Sequence, residues 1–207
     1  MNLKTRYYNN TRKPVGWLGR HMVDKMNAGH AAVSDWAMEH LTGLRIGTIA
    51  ELGCGGGRNI GQLLERFPNA TVIGLDYSPI SVKKAKQLNR DAIRARRCSV
   101  MEGDVSHMNF PSGCFDLATA FETVYFWPGP LVSFREVYRV LKPEGRFMIV
   151  HDTDGTKEID QEWAQMIHGM NLYTEYQLEA YLKEAGFSEI KIVKEPQKRW
   201  ICVIGKK

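Results

Sequence analysis

No stretch of this sequence approaches the roughly 20 consecutive apolar residues that a membrane-spanning helix requires, and it has no internal repeat or low-complexity segment. Cysteine is scarce. Cys54, Cys98, Cys114 and Cys202 lie far apart with no Cys-x-x-Cys pair, so thiol metal and redox sites are not expected and the four read as reduced, mostly buried thiols. No other metal site is expected either. The first 25 residues hold no apolar segment followed by a cleavage site, and the expectation is a cytoplasmic protein. What remains, 207 residues of which 43% are hydrophobic and 25% charged, is a single domain able to bury roughly 70% of its unfolded surface without disulfide or zinc staples.

Charge imbalance is confined to two places. Residues 1–25 carry Lys4, Arg6, Arg12, Lys13, Arg20 and Lys25 against Asp24, which accounts for the whole net charge of +5 and leaves the rest neutral. A second cluster, KKAKQLNRDAIRARR at 83–97, has seven basic residues and one acidic. It lacks the aromatic residues that stack nucleic-acid bases, so it reads as a solvated helix face and a nucleic-acid partner is not expected.

Apolar spacing orders the chain. Leu18, Met22 and Met26, then Val33, Trp36, Ala37 and Leu41, mark two helices, the second ended by Gly43. Strands are predicted at 46–52, 71–75, 98–102, 115–121 and 146–150. Between them lie a helix with Ile60, Leu63, Leu64 and Phe67 on one face, and a basic helix opened by Ser78-Pro79 and running to about residue 96. A third carries Leu131, Phe134, Tyr138 and Leu141 and ends before Pro143. Short, continuously apolar strands alternating with helices imply a parallel sheet covered on both faces. The rest departs from that rhythm: a helix near 158–170, another opened by a capping box at Thr174–Gln177, and strands at 189–193 and 200–204 whose short connection permits only an antiparallel hairpin.

The chemically informative segment is IAELGCGGGRNI at 49–60, where the first strand runs into Gly53, Gly55 and Gly57 before a helix opens. Glycines there allow tight turning and close approach of backbone to a ligand, at the strand end where open α/β sheets place ligands. Acidic residues follow the first three strands: Glu51 suits an ammonium group, Asp76 a pair of ribose hydroxyls, and Asp104 an adenine amino group. The glycine spacing is G-x-G-x-G rather than the G-x-G-x-x-G of dinucleotide-binding loops, which counts against a nicotinamide-dependent oxidoreductase.

Together ELGCGGG, GLDYSP, EGDV, MNFPSGCFDLA and FREVYRVLKPEGRFMIV resemble the class I S-adenosylmethionine-dependent methyltransferases over about 46–205. They are most similar to the small-molecule branch that includes the ubiquinone and menaquinone biosynthesis enzymes. The resemblance implies a Rossmann-like α/β fold, with helices on both faces of a seven-stranded, mostly parallel sheet and one antiparallel strand from the C-terminal hairpin. It implies one methyltransferase domain over 1–207, a helical cap or lid at 1–43 and a cofactor-binding core at 44–207. Carried over, Glu51, Gly53, Gly55 and Gly57 hold the methionine part of S-adenosyl-L-methionine, Asp76 the ribose, Tyr77 one adenine face, and Asp104 with Val105 the adenine edge. Phe121, Glu122 and Val124 pass beneath the sulfonium.

No Asn-Pro-Pro-Tyr motif or catalytic dyad is present. A sulfonium already carries its leaving group, so positioning dominates, and a base is needed only for a hydroxyl or protonated amine acceptor. Candidates on the acceptor side are His151, Tyr125 and Glu122, with Trp127, Asp152, Asn27 and His30; Trp127, Met166 and Met170 also suit the core. Residues 1–25, with Tyr7 and Tyr8, are read as a lid. The expected function is methyl transfer to a small molecule, the alternatives being a non-catalytic S-adenosylmethionine-binding subunit or an oxidoreductase. The sequence leaves the oligomeric state open.

Overall fold

The computed structural model describes residues 7–207, so Lys4 and Arg6 of the basic lead lie outside the described residues. The elements, in chain order, are α1 (Gly16–Gly29), α2 (Ala31–Met38), β1 (Thr48–Leu52), α3 (Arg58–Arg66), β2 (Thr71–Asp76), α4 (Pro79–Leu88) and α5 (Arg90–Arg94). They continue with β3 (Cys98–Glu102), β4 (Phe115–Phe121), a 3-10 turn (Val124–Phe126), α6 (Pro130–Val140), β5 (Leu141–His151), α7 (Glu158–Met166), α8 (Glu175–Ala185), β6 (Ser188–Glu195) and β7 (Trp200–Lys206).

The seven strands form one sheet in the order β3-β2-β1-β4-β5-β7-β6, parallel except that β7 runs antiparallel to both β5 and β6. This is the expected topology. Strand order reverses between β1 and β4, and the crevice beyond their carboxyl ends is where such sheets receive ligands.

Successive strand residues point to opposite faces, and both faces are buried. Ile49, Leu117, Met148 and Cys202 pack with Ile60 and Leu63 of α3 on one side. On the other, Ala50, Leu52, Phe147 and Ile201 pack with Phe134, Val137, Leu178 and Leu182 of α6 and α8. Each such Leu, Ile or Phe contributes about 1.5–3 kcal/mol by leaving water. All four thiols are unpaired, three of them buried.

Helix boundaries follow local chemistry. Ser78 caps α4, its hydroxyl accepting from the Ser81 amide, with Pro79 in the first turn. Thr174 and Gln177 form the reciprocal box at α8. Three expectations are corrected. The basic helix is broken at Asn89, whose side-chain amide donates to the carbonyls of Gly57 (2.9 Å) and Ala85 (3.0 Å) and pins the chain to the glycine loop. The helix near 158–170 stops at Met166, and Gly169 takes a left-handed φ of +74°. Pro143 does not separate helix from strand: α6 ends at Val140, and β5 starts at Leu141 through a bulge opposite Phe115 and Leu117. Among the described residues no helix is long and apolar enough to cross a membrane.

Candidate active site

A cavity of roughly 770 Å³ opens at the carboxyl ends of β1, β2 and β4. It is bounded by the N-terminal segment and α1 on one side and by α7 and the segment after it on the other. Every sequence-predicted site residue lines it except Gly57, His151 and Met166, and Val124, buried in the core, does not reach it.

The glycine loop supplies a backbone ledge. Gly53 has a φ of +74°, and a Cβ there would sit 2.1 Å from Thr123 Oγ1, so the loop closes onto the start of the β4 turn only with glycine. Gly55 also has a positive φ, but a Cβ there would meet open space. Gly57 is a packing glycine. Its left-handed φ caps α3, and its missing side chain lets Ala85 of α4 and Asn89 just past it approach closely.

Glu51 is buried at the end of β1 and accepts a hydrogen bond from the Thr119 hydroxyl. Burial pushes its carboxyl up to about 8, the nearby Asp76 adding to the rise and the Thr119 bond opposing it. Asp76 accepts from the Gly55 amide (2.8 Å) and the Ser78 amide (2.9 Å). Burial outweighs those bonds and holds its carboxyl above the ordinary range. Asp104 Oδ1 accepts from both the amide and the hydroxyl of Ser106.

The acceptor end is built on two strand termini. Glu122, just past β4, sits at φ +55°, a strained conformation outside glycine. Its Oε2 accepts from the Tyr125 hydroxyl at 3.1 Å, while Oε1 is buried without a hydrogen-bond partner among the described residues. Burial raises its carboxyl well above the usual range, Asp152 reinforcing the shift. The Asp152 carboxylate, just past β5, lies 3.9 Å from His30 Nε2 at the α1–α2 junction. Burial lowers the His30 pKa, and Asp152 opposes that shift.

His151 does not line the cavity. Strand alternation turns it away from the side that Asp152 faces. Its ring centroid lies 5.2 Å from that of Tyr125, and its Nε2 has no partner among the described residues. Burial drives its pKa down to about 4, so it is a neutral buried ring and not a proton carrier facing the cavity.

The N-terminal segment touches both ends of the cavity. Tyr77 donates its hydroxyl to the Arg12 carbonyl, and Lys13 Nζ stands 5.3 Å from the Tyr77 ring centroid. At the other end Tyr8 packs edge-on against Trp163, with centroids 5.0 Å apart, and Arg12 donates to the His168 carbonyl at 3.1 Å. Asn9 Oδ1 accepts from the His168 amide. Trp163 and Ile159 are lining residues that the sequence reading missed; a tryptophan and an isoleucine four apart on a short helix is the signal that could have revealed them. Arg199, also missed, reaches from the hairpin turn to Asp160 (2.6 Å) and Thr153 (3.2 Å), a contact without any local sequence signal.

A glycine ledge flanked by buried acids at the switch point of a seven-stranded sheet with one antiparallel strand is the arrangement of the class I methyltransferase fold. Residues 50–149 match the family described as a methyltransferase domain. Over those residues the chain is similar to methyltransferase domains.

Among curated relatives, cycloartenol-C-24-methyltransferase of Arabidopsis thaliana is 33% identical over 110 residues, covering 51% of this chain and 32% of that protein. The 2-methyl-6-phytyl-1,4-hydroquinone methyltransferase 1, chloroplastic, of Oryza sativa subsp. japonica is 27% identical over 144 residues, 70% of this chain and 42% of that protein. The chain therefore spans only about a third to two fifths of these relatives. Among solved structures, an S-adenosylmethionine-dependent methyltransferase from Aquifex aeolicus superposes with a TM-score of 0.73 at 16% identity, over 90% of this chain and 97% of that one. Geranyl diphosphate C-methyltransferase from Streptomyces coelicolor, solved with S-adenosyl-L-homocysteine, gives 0.70 at 14% identity, over 85% and 75%.

Proposed function

We propose that this chain transfers a methyl group from S-adenosyl-L-methionine to a small, largely apolar acceptor by in-line displacement. The observation that carries the proposal is one continuous cavity. It places an open glycine ledge and two buried acids at one end, and a polar cluster walled by Ile159, Trp163, Ile167, Met170 and Leu172 at the other.

The cofactor fits the residues present. Glu51, buried beside the ledge, receives its ammonium group, and the backbone at Gly53 and Gly55 lies against its methionine part. Asp76 retains acceptor capacity for ribose hydroxyls beyond its two amide bonds. Tyr77, Asp104 and Val105 bound the adenine, and Phe121 lines the cavity with them. The bound cofactor supplies an electrophilic methyl carbon on a sulfonium whose departure needs no protonation.

The rest falls to the acceptor end, which must hold a nucleophile about 3–3.5 Å from that carbon and in line with it. Tyr125 orients Glu122, and Glu122 with Asp152 takes the proton of a hydroxyl or ammonium acceptor; a stabilised carbanion needs none. The apolar wall agrees with acceptors such as the sterol and prenylated hydroquinone named for the relatives above. Residues 7–43 form a cap over the core. Unpaired thiols support a reducing, cytoplasmic setting.

A thermal-unfolding titration with S-adenosyl-L-homocysteine and, separately, NADH tests the proposal. Ligand at a hundredfold excess over its dissociation constant adds about 2.7 kcal/mol, which is several degrees in a domain of this size. A shift with S-adenosyl-L-homocysteine alone, lost in Asp76→Ala, is expected, and product mass then identifies acceptors. A shift with NADH, or none with S-adenosyl-L-homocysteine, overturns it. Cofactor binding without turnover on any acceptor leaves a non-catalytic binding subunit.

A further inference from the structure

We infer that His30, Glu122 and Asp152 form a binding site for one divalent transition-metal ion at the acceptor end of the cavity. Each offers one ligand atom, and the three atoms lie within 4.8 Å of one another. Donors bound at about 2.0–2.2 Å around one ion stand roughly 3–4 Å apart, so small side-chain rotations bring all three into reach; His30 Nε2 and Asp152 Oδ2 are already at 3.9 Å.

The three come from separate elements of the fold. His30 sits at the junction of α1 and α2, Glu122 directly after β4, and Asp152 directly after β5. Glu122 is also prepared as a ligand. Tyr125 fixes one of its oxygens by a hydrogen bond, the kind of outer contact that orients metal-bound carboxylates, while the other oxygen is buried with no partner among the described residues. A buried oxygen left in that state is costly, and a cation satisfies it.

One imidazole and two carboxylates, without sulfur, select borderline ions such as zinc, cobalt, iron(II) or manganese over calcium and magnesium, which favour all-oxygen shells. Three protein ligands leave positions open toward the cavity, where an oxygen of the acceptor can bind and be oriented. That last role rests on the methyltransferase reading; the ion site itself does not.

The experiment separates the two. Purified protein is stripped with chelator, dialysed against zinc or cobalt, and analysed for metal per chain; the visible spectrum of the cobalt form is recorded. S-adenosyl-L-homocysteine binding is measured on the same samples. The expected result is one ion per chain, a cobalt spectrum without thiolate bands, and at least about tenfold weaker binding in each of His30→Gln, Glu122→Gln and Asp152→Asn. Those variants keep their stabilisation by S-adenosyl-L-homocysteine, which shows that they are folded, and His107→Gln behaves as wild type. Failure to bind the ion while S-adenosyl-L-homocysteine still binds overturns the metal site alone. Ion binding that survives all three substitutions, or that shows thiolate bands, overturns it too. Ion binding at these residues without S-adenosyl-L-homocysteine binding upholds the site and sinks the methyltransferase reading.

Discussion

Glu51 gives the sharpest test of the cofactor end, because its carboxyl is pushed up to about 8 in the free protein. At pH 7 about nine in ten of these carboxyls carry a proton, yet pairing with the cofactor's ammonium requires the ionised form. Binding must therefore expel about 0.9 proton at pH 7 and about 0.5 at pH 8, and affinity should rise nearly tenfold from pH 6 to 7 before levelling near pH 8. Titration calorimetry in two buffers of different ionisation enthalpy reads the expelled proton directly. Glu51→Gln keeps the shape but has nothing to lose, so its proton release and pH slope vanish. At pH 8 the variant forgoes a charged hydrogen bond worth about 1.5–3 kcal/mol, or roughly 10- to 150-fold in affinity. Toward pH 6 the difference shrinks, since the wild type then bears the cost of losing its proton. A wild-type affinity flat across pH 6–8, or a variant weaker by the same factor throughout, refutes the reasoning.

Three further outcomes are expected. Gly53→Ala should lower the melting temperature and weaken S-adenosyl-L-homocysteine binding, because the new methyl meets Thr123 Oγ1 at 2.1 Å with φ at +74°; the double variant Gly53→Ala with Thr123→Gly, which removes the clashing atoms, should remain impaired, since the φ cost persists. His151 titrates near 4 when folded but near 6.5 when unfolded, so its contribution is fully present above pH 6.5 and fades as pH falls toward 4, by about 3 kcal/mol; chemical denaturation of His151→Gln should show a shallower acid slope than wild type, and an identical slope refutes the assignment. Trp163→Ala should raise the KM for an apolar acceptor several-fold while leaving the S-adenosyl-L-homocysteine Kd within about twofold, and equal losses in both would remove Trp163 from the acceptor wall.

Most of the framework was legible because it is local. Continuous apolar strands, the Ser78-Pro79 start and the Thr174–Gln177 box each state their structure within a few residues. The glycine ledge and its acids were legible because every one of them lies at or just past a strand end. What escaped is long-range. Nothing near Asn89 announces a hydrogen bond to Gly57, and nothing joins Tyr8 to Trp163 or His30 to Asp152 except the folded sheet. The sequence favoured His151 over Asp152. Only the strand phase decides between them, and a strand end does not reveal its phase until the register with β7 is known.

The segment 8–13 meets Tyr77 at one end of the cavity and Trp163 and His168 at the other. Residues that share a neighbour do not respond additively to substitution. A double-mutant cycle between Tyr77 and Trp163 should therefore return a non-zero interaction energy, carried by the chain that both of them hold. Under the proposed function cofactor and acceptor each lie against this one short stretch, so binding of either should change the affinity for the other.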